Sequence, residues 1–198
     1  VRFKFIIGVL VFLLLMVGTA SAETFYLTNT SENVTGIKIA VTFNGTHIIV
    51  TDASPALVGV DKVNILAIGL YLDDQYVDNV TDYAEGSTWT HGSINHDISE
   101  FGDFNTLCSR SNQKIKTSGP IVIALNPSFT QSKLPANVVG NSIVVHLAFG
   151  TELLDVSGKK QSSSWVGGGT EIPEFSTIAV PMAAILGLMF IFGRKKQE

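Results

Sequence analysis

From Gly36 onward, Ile37, Ile39, Val41 and Phe43 alternate with Lys38, Ala40 and Thr42, a period of two that fits a strand with one buried face. Asn44-Gly45 follows at once, and residues 46–51 are again rich in β-branched side chains. This pattern predicts a β-hairpin closed by a type I′ turn. Further apolar runs at 63–72, 104–108, 121–126 and 142–149 are separated by segments carrying Gly, Pro, Asn, Asp and Ser. In the run 63–72, Ile65, Ala67 and Tyr71 fall on one side and Leu66, Ile68, Leu70 and Leu72 on the other. That suits a central strand covered on both faces. Long helical periodicity is missing between the two ends of the chain, so the expected fold is all-β, an antiparallel β-sandwich of jelly-roll-like or Ig-like architecture. Its expected core is Ile37, Ile39, Val41, Phe43, Ile65, Ile123, Leu125, Val145 and Leu147.

Both ends are of a different kind. Arg2 and Lys4 precede an apolar run at 5–17, and Ala20-Ser21-Ala22 forms a small-residue cleavage site. Residues 1–22 therefore read as a signal peptide cut after Ala22, with an uncleaved N-terminal anchor as the alternative. At the other end an uncharged run spans 175–193, and Arg194, Lys195 and Lys196 follow it. As a helix this run reaches about 28 Å, close to the thickness of bilayer hydrocarbon. The basic residues behind it favour the cytoplasmic side, which puts the domain outside.

Pro173-Glu174-Phe175, the apolar helix and the basic end, in that order, resemble the PEF-CTERM sorting signal of methanogenic archaea, itself similar to the bacterial PEP-CTERM signal. The resemblance implies that an archaeosortase, a membrane transpeptidase, recognises Pro173, Glu174 and Phe175, removes the helix and transfers the ectodomain to a membrane anchor. A plain membrane anchor that is never cut is the alternative. The expected organisation is a signal peptide at 1–22, an ectodomain at 23–166, a Gly-rich linker at 167–172 and the sorting signal at 173–198, with its transmembrane helix at 176–193. Within the ectodomain, residues 144–150 and 163–169 resemble the closing strand and exit peptide of β-sandwich domains in bacterial PEP-CTERM proteins. Residues 68–72, Trp89 and 101–104 follow in the order that those domains show.

Between Glu23 and Ile172 there are eight basic residues against fifteen acidic, a net charge of −7. An acidic exterior favours solubility and argues against nucleic acid as a partner. Cys108 is the sole cysteine, which excludes an intrachain disulfide and a cysteine-rich zinc site. About 150 residues are enough to build one core without either.

The chemistry-bearing residues form no standard catalytic frame, so an enzyme is not expected. His91, His96, Asp97, Asp103 and Cys108 are ligand types at a spacing unlike any zinc frame, so a solvated loop is expected there. His146 reads as a structural, hydrogen-bonded histidine in a strand. Asp73, Asp74, Asp78, Asp82 and Glu85 form a dense acidic run, expected to be a solvated loop, with calcium as the possible cofactor. Trp89, Tyr71, Tyr76 and Tyr83 could form a sugar-stacking surface, although such aromatics more often belong to cores. Asn29, Asn33, Asn44 and Asn79 each begin an N-x-[ST] acceptor usable after export.

Two functions from different classes fit these readings. The favoured one is a non-enzymatic, membrane-anchored envelope or adhesion component whose partners are an archaeosortase, the membrane and other envelope proteins or extracellular glycans. The alternative is a carbohydrate- or calcium-binding module built on the acidic run and its neighbouring aromatics.

Overall fold

The computed structural model describes residues 22–168 except 58, 59, 61, 62 and 113, all within one compact unit, Ala22–Ile172. Of the expected terminal features, only Ala22 and the linker residues Gly167 and Gly168 lie inside that range. The rest of the signal peptide, including Ala20, and the segment with Pro173, Glu174, Phe175 and the helix at 176–193 fall outside the described residues.

Among the described residues, eleven strands form two antiparallel sheets: β1 (Glu23–Leu27), β2 (Asn29–Thr30), β3 (Ile39–Phe43), β4 (His47–Asp52), β5 (Asn64–Leu70), β6 (Val77–Asp82), β7 (Trp89–Asp97), β8 (Asp103–Arg110), β9 (Ile121–Leu125), β10 (Ile143–Leu154) and β11 (Lys160–Gly167). One sheet runs β1-β3-β4-β9-β6 and the other β2-β11-β10-β5-β8-β7. The fold is the expected β-sandwich. Ile39, Val41, Ile48, Ile121 and Ile123 of the first sheet meet Ile65, Ile68, Val145, Leu147 and Val166 of the second in one dry core. All nine expected core residues are buried, and β3 and β9 keep the strict alternation that one-sided burial requires.

Three details differ from expectation. The β3-β4 hairpin forms, with Phe43 opposite Ile48, but Asn44 N–H bonds to the His47 carbonyl at 3.2 Å. The two central residues are therefore Gly45 and Thr46, one later than read. Of these only Gly45 has positive φ, at 88°, which a type II′ turn needs and a type I′ turn does not match. Asn44 instead precedes the turn, and its Oδ1 accepts the amides of Thr46 at 3.0 Å and His47 at 2.8 Å.

The second difference lies in β5, which is central and covered on both faces as expected. A register shift against β10 pairs His146 with Ala67 but Leu147 with Ile65. This irregularity moves Ile65 onto the same core as Ile68 and Leu70, whereas strict alternation had placed them on opposite sides.

Thirdly, the acidic run is a loop only at Asp73 and Glu85. Residues Asp74–Tyr76 form a 3-10 turn, and β6 starts directly after it.

Behind the six-stranded sheet lies a second apolar cluster of Ile98, Phe101, Phe104 and Val144. Phe101 ends a 3-10 turn, Ser99–Phe101, between β7 and β8. Two glycines make room for this cluster. A Cβ on Gly69 would lie 2.8 Å from both Ile98 Cδ1 and Val144 Cγ1, and one on Gly167 would lie 2.5 Å from Phe101 Cδ1.

Candidate functional site

Gly168 is the last described residue before the segment whose sequence resembles a sorting signal. Its amide donates to Asn141 Oδ1 at 3.0 Å, and its carbonyl accepts from Thr28 N–H at 3.1 Å. Asn141 is itself held, since its Nδ2 donates to the Phe101 carbonyl at 3.0 Å. Asn137, only 6% exposed, completes the support. Its Nδ2 donates to the carbonyls of Phe101 at 2.8 Å and Asp103 at 3.1 Å, while its Oδ1 accepts the amides of Val139 at 3.2 Å and Asn141 at 2.9 Å. Two asparagines thus satisfy the polar backbone of a tight loop beside the exit. The order persists two residues beyond the expected boundary at 166, because β11 includes Gly167 and Gly168 is bonded on both sides.

Asn137 and Asn141 were not among the residues singled out from the sequence. Their signal was the Asn and Gly content of 137–141, a composition that marks a loop without saying that its side chains turn inward.

The structure separates the residues of the acidic run. Asp73 Oδ1 accepts from Asn105 Nδ2 at 3.2 Å, and Asp74 Oδ1 meets His91 Nδ1 at 2.7 Å. Asp82 accepts the Trp89 indole N–H and the Ser87 hydroxyl, each at 2.8 Å, together with the Ala84 amide at 3.0 Å. Asp78 and Glu85 are exposed. The carboxylates therefore hold separate local partners, and among the described residues no three His, Cys, Asp or Glu side chains gather in a metal-holding group.

The second ligand set also disperses, and it lies on strands where a loop was expected. His91, His96 and Asp97 belong to the polar strand β7, opposite Cys108, Phe104 and Asp103 of β8. Cys108 is fully buried. Burial, with the Asp74 carboxylate adding to it, pushes its thiol up to about 12, so it packs as an apolar group and is no nucleophile at neutral pH.

The aromatic residues do not form one platform. Tyr76 packs edge-on against Phe129 at 5.6 Å, Trp89 leans on the core, Tyr71 lies against the second cluster, and Tyr83 is exposed. His146 has a stacking partner where a hydrogen bond was expected: its ring lies 4.6 Å from that of Trp165, the planes 18° apart. Burial lowers its pKa.

Sequence reading also passed over Arg110, buried on β8. Its Nη2 donates to Asn64 Oδ1 at 2.9 Å, an acceptor shared with the Thr117 amide at 3.0 Å.

The four acceptor asparagines sit at the margins of the domain. Asn29 lies in β2 and Asn79 in β6, both exposed; Asn33 is an exposed turn residue with φ 50°; Asn44 is half-buried beside the hairpin turn.

Residues 172–196 match the family described as the PEF-CTERM archaeal protein sorting domain. No curated protein and no solved structure matches the chain. The match covers the tail alone and supports a membrane-anchored cell-surface protein that an archaeosortase processes.

Proposed function

We propose that this chain is a non-enzymatic envelope or adhesion component that reaches the surface in two steps. The signal peptide at 1–22 exports it with the ectodomain outside. An archaeosortase then recognises Pro173, Glu174 and Phe175, removes the following helix and moves the ectodomain to a membrane anchor. The observation that carries this reading is the sorting-domain match at 172–196. The order of the chain up to Gly168, whose amide is bonded to Asn141 Oδ1, fits a folded ectodomain ahead of that signal. The Cys108 thiol, buried and held protonated, fits a structural role in a domain that does no covalent chemistry.

Mass spectrometry of the C-terminal peptide from native cells tests the proposal. The expected mature protein lacks residues 178–198 and still partitions with membranes. Recovery of Lys195 to Glu198 still joined to the helix in most molecules would make this an uncut anchor. Replacing Pro173, Glu174 and Phe175 with Ala should block processing while export continues, because export depends on the other end of the chain.

A further inference from the structure

Each lateral side of the sandwich exposes strand edges, and each carries one acceptor asparagine on an edge strand. The five-stranded sheet ends in β1 and β6, and the six-stranded sheet in β2 and β7. β1 runs into β2 through Thr28, so these two edges share one side. β6 and β7 meet on the other, where Asp82 accepts the Trp89 indole N–H. Asn29 lies on β2 and Asn79 on β6. Open edges offer unpaired backbone groups to a second copy of the chain, and proteins that live at high local density, as on a membrane, must blunt them.

We propose that N-linked glycans on Asn29 and Asn79 cap these two edges and prevent strand addition between neighbouring copies; the proposal rests on the reading that the domain is exported. Both residues are exposed, and at Asn79 the local geometry suits a bulky substituent. β6 is irregular at this point, since Val77 pairs with Leu125 and Asn79 with Ala124, so Asp78 bulges out beside the acceptor. Asn79 Oδ1 accepts the Val80 amide at 2.9 Å, which leaves its Nδ2 for the sugar while already covering a backbone group of the edge strand. Asn29 packs across Gly168, where a Cβ would be 2.6 Å from Asn29 Nδ2, so only a glycine there leaves the side chain its place on the exposed edge. The donor is a lipid-phosphate-linked oligosaccharide: a bond forms between Nδ2 and the first sugar carbon as the sugar–phosphate bond breaks, Nδ2 loses a proton, and the lipid phosphate departs.

Glycopeptide mapping of the mature protein from its native host, followed by light-scattering chromatography of variants, tests this. Asn29 and Asn79 should be modified, and the double variant Asn29→Gln/Asn79→Gln should shift to species larger than wild type. Asn44→Gln, which alters a hairpin end, should run as wild type. Thr81→Ala removes the second acceptor while keeping Asn79 and its bond to Val80, so self-association of this variant traces to the lost glycan even if the double variant folds poorly. Bare Asn29 and Asn79 alongside a modified Asn33 or Asn44 would overturn edge capping and leave export standing. Four bare sites on protein that retains its signal peptide would overturn both. A Thr81→Ala variant that runs as wild type would overturn the role assigned to Asn79.

Discussion

In the five-stranded sheet, β3 and β9 alternate buried and half-buried residues without interruption, whereas β5 of the six-stranded sheet buries six of its seven residues. The first sheet packs on one face, and its outer face is free to be polar. The second is packed on both faces around the cluster of Phe101, Phe104, Ile98 and Val144, and there it needs glycine to let side chains approach the backbone. The difference shows what each packing demands of its sequence: one-sided burial asks for a pattern, and two-sided burial asks for particular residues at particular contacts.

The hardest test of the common core is Val145→Asp, which places a carboxylate where exposure is 0%. An unpaired buried charge costs several kcal/mol against a total stability of about 5 to 15. Loss of the strand signal in far-UV circular dichroism is expected, and a melt like wild type would show that the two sheets do not share a dry interior.

A smaller effect probes the outer face. Gly167→Val drives a Cβ into the Phe101 ring, whose Cδ1 lies 2.5 Å away, and should cost about 1–3 kcal/mol. Gly92 has open space around its Cβ position, so Gly92→Ala should stay within about 0.5 kcal/mol. Equal denaturation midpoints for the two variants would erase the distinction between packed and open outer surface.

The stack of His146 on Trp165 adds a pH dependence to that face. Burial lowers the histidine pKa, so the unfolded chain binds the proton more readily, and stability falls as pH drops below about 6.5. His146→Phe should flatten the thermal melts between that pH and the lowered folded value; an unchanged slope would place the dependence elsewhere.

The smallest expected effect lies in the β10-β11 turn. The Ser157 hydroxyl first, then the Lys159 amide, hold the Asp155 carboxyl down to about 2 from 3.8. Its contribution is present above the ordinary carboxylate range and is lost as pH falls through about 2. Asp155→Asn should therefore lie below wild type at pH 5, with the gap closing toward pH 2 in parallel melts.

The same contrast explains what could be read before any coordinates. The strands β3, β4, β5, β8, β9 and β10 were legible because the interior needs large apolar residues at fixed intervals, and those intervals survive in the chain. β6 was hidden: only Val77 and Val80 are buried in it, three apart across an irregularity, which breaks the period of two and leaves a string of carboxylates to dominate the reading. β7 was hidden because an edge strand with polar exposed residues, Thr90, Ser93, Asn95, His96 and Asp97, has the composition of a loop. Toward the C-terminus, Pro173 to Phe175, the apolar run 175–193 and the basic residues behind it were readable as a linear signal. The asparagine support was not, because Asn137 and Asn141 act on backbone carbonyls brought to them by distant segments.

A membrane-anchored ectodomain is pulled through its last residues whenever its partner or the surrounding fluid moves. Here the traction enters at Gly168 and passes straight into β11, a strand laddered on one side to β10 and on the other to β2. Thr28 N–H holds the Gly168 carbonyl at the junction between β1 and β2, and Asn141 holds its amide just ahead of β10. Drag is thus divided at the point of entry between the start of the domain and its longest strand. Backbone bonds on both flanks of β11 share that load with the hold of Asn141 and Thr28 on Gly168.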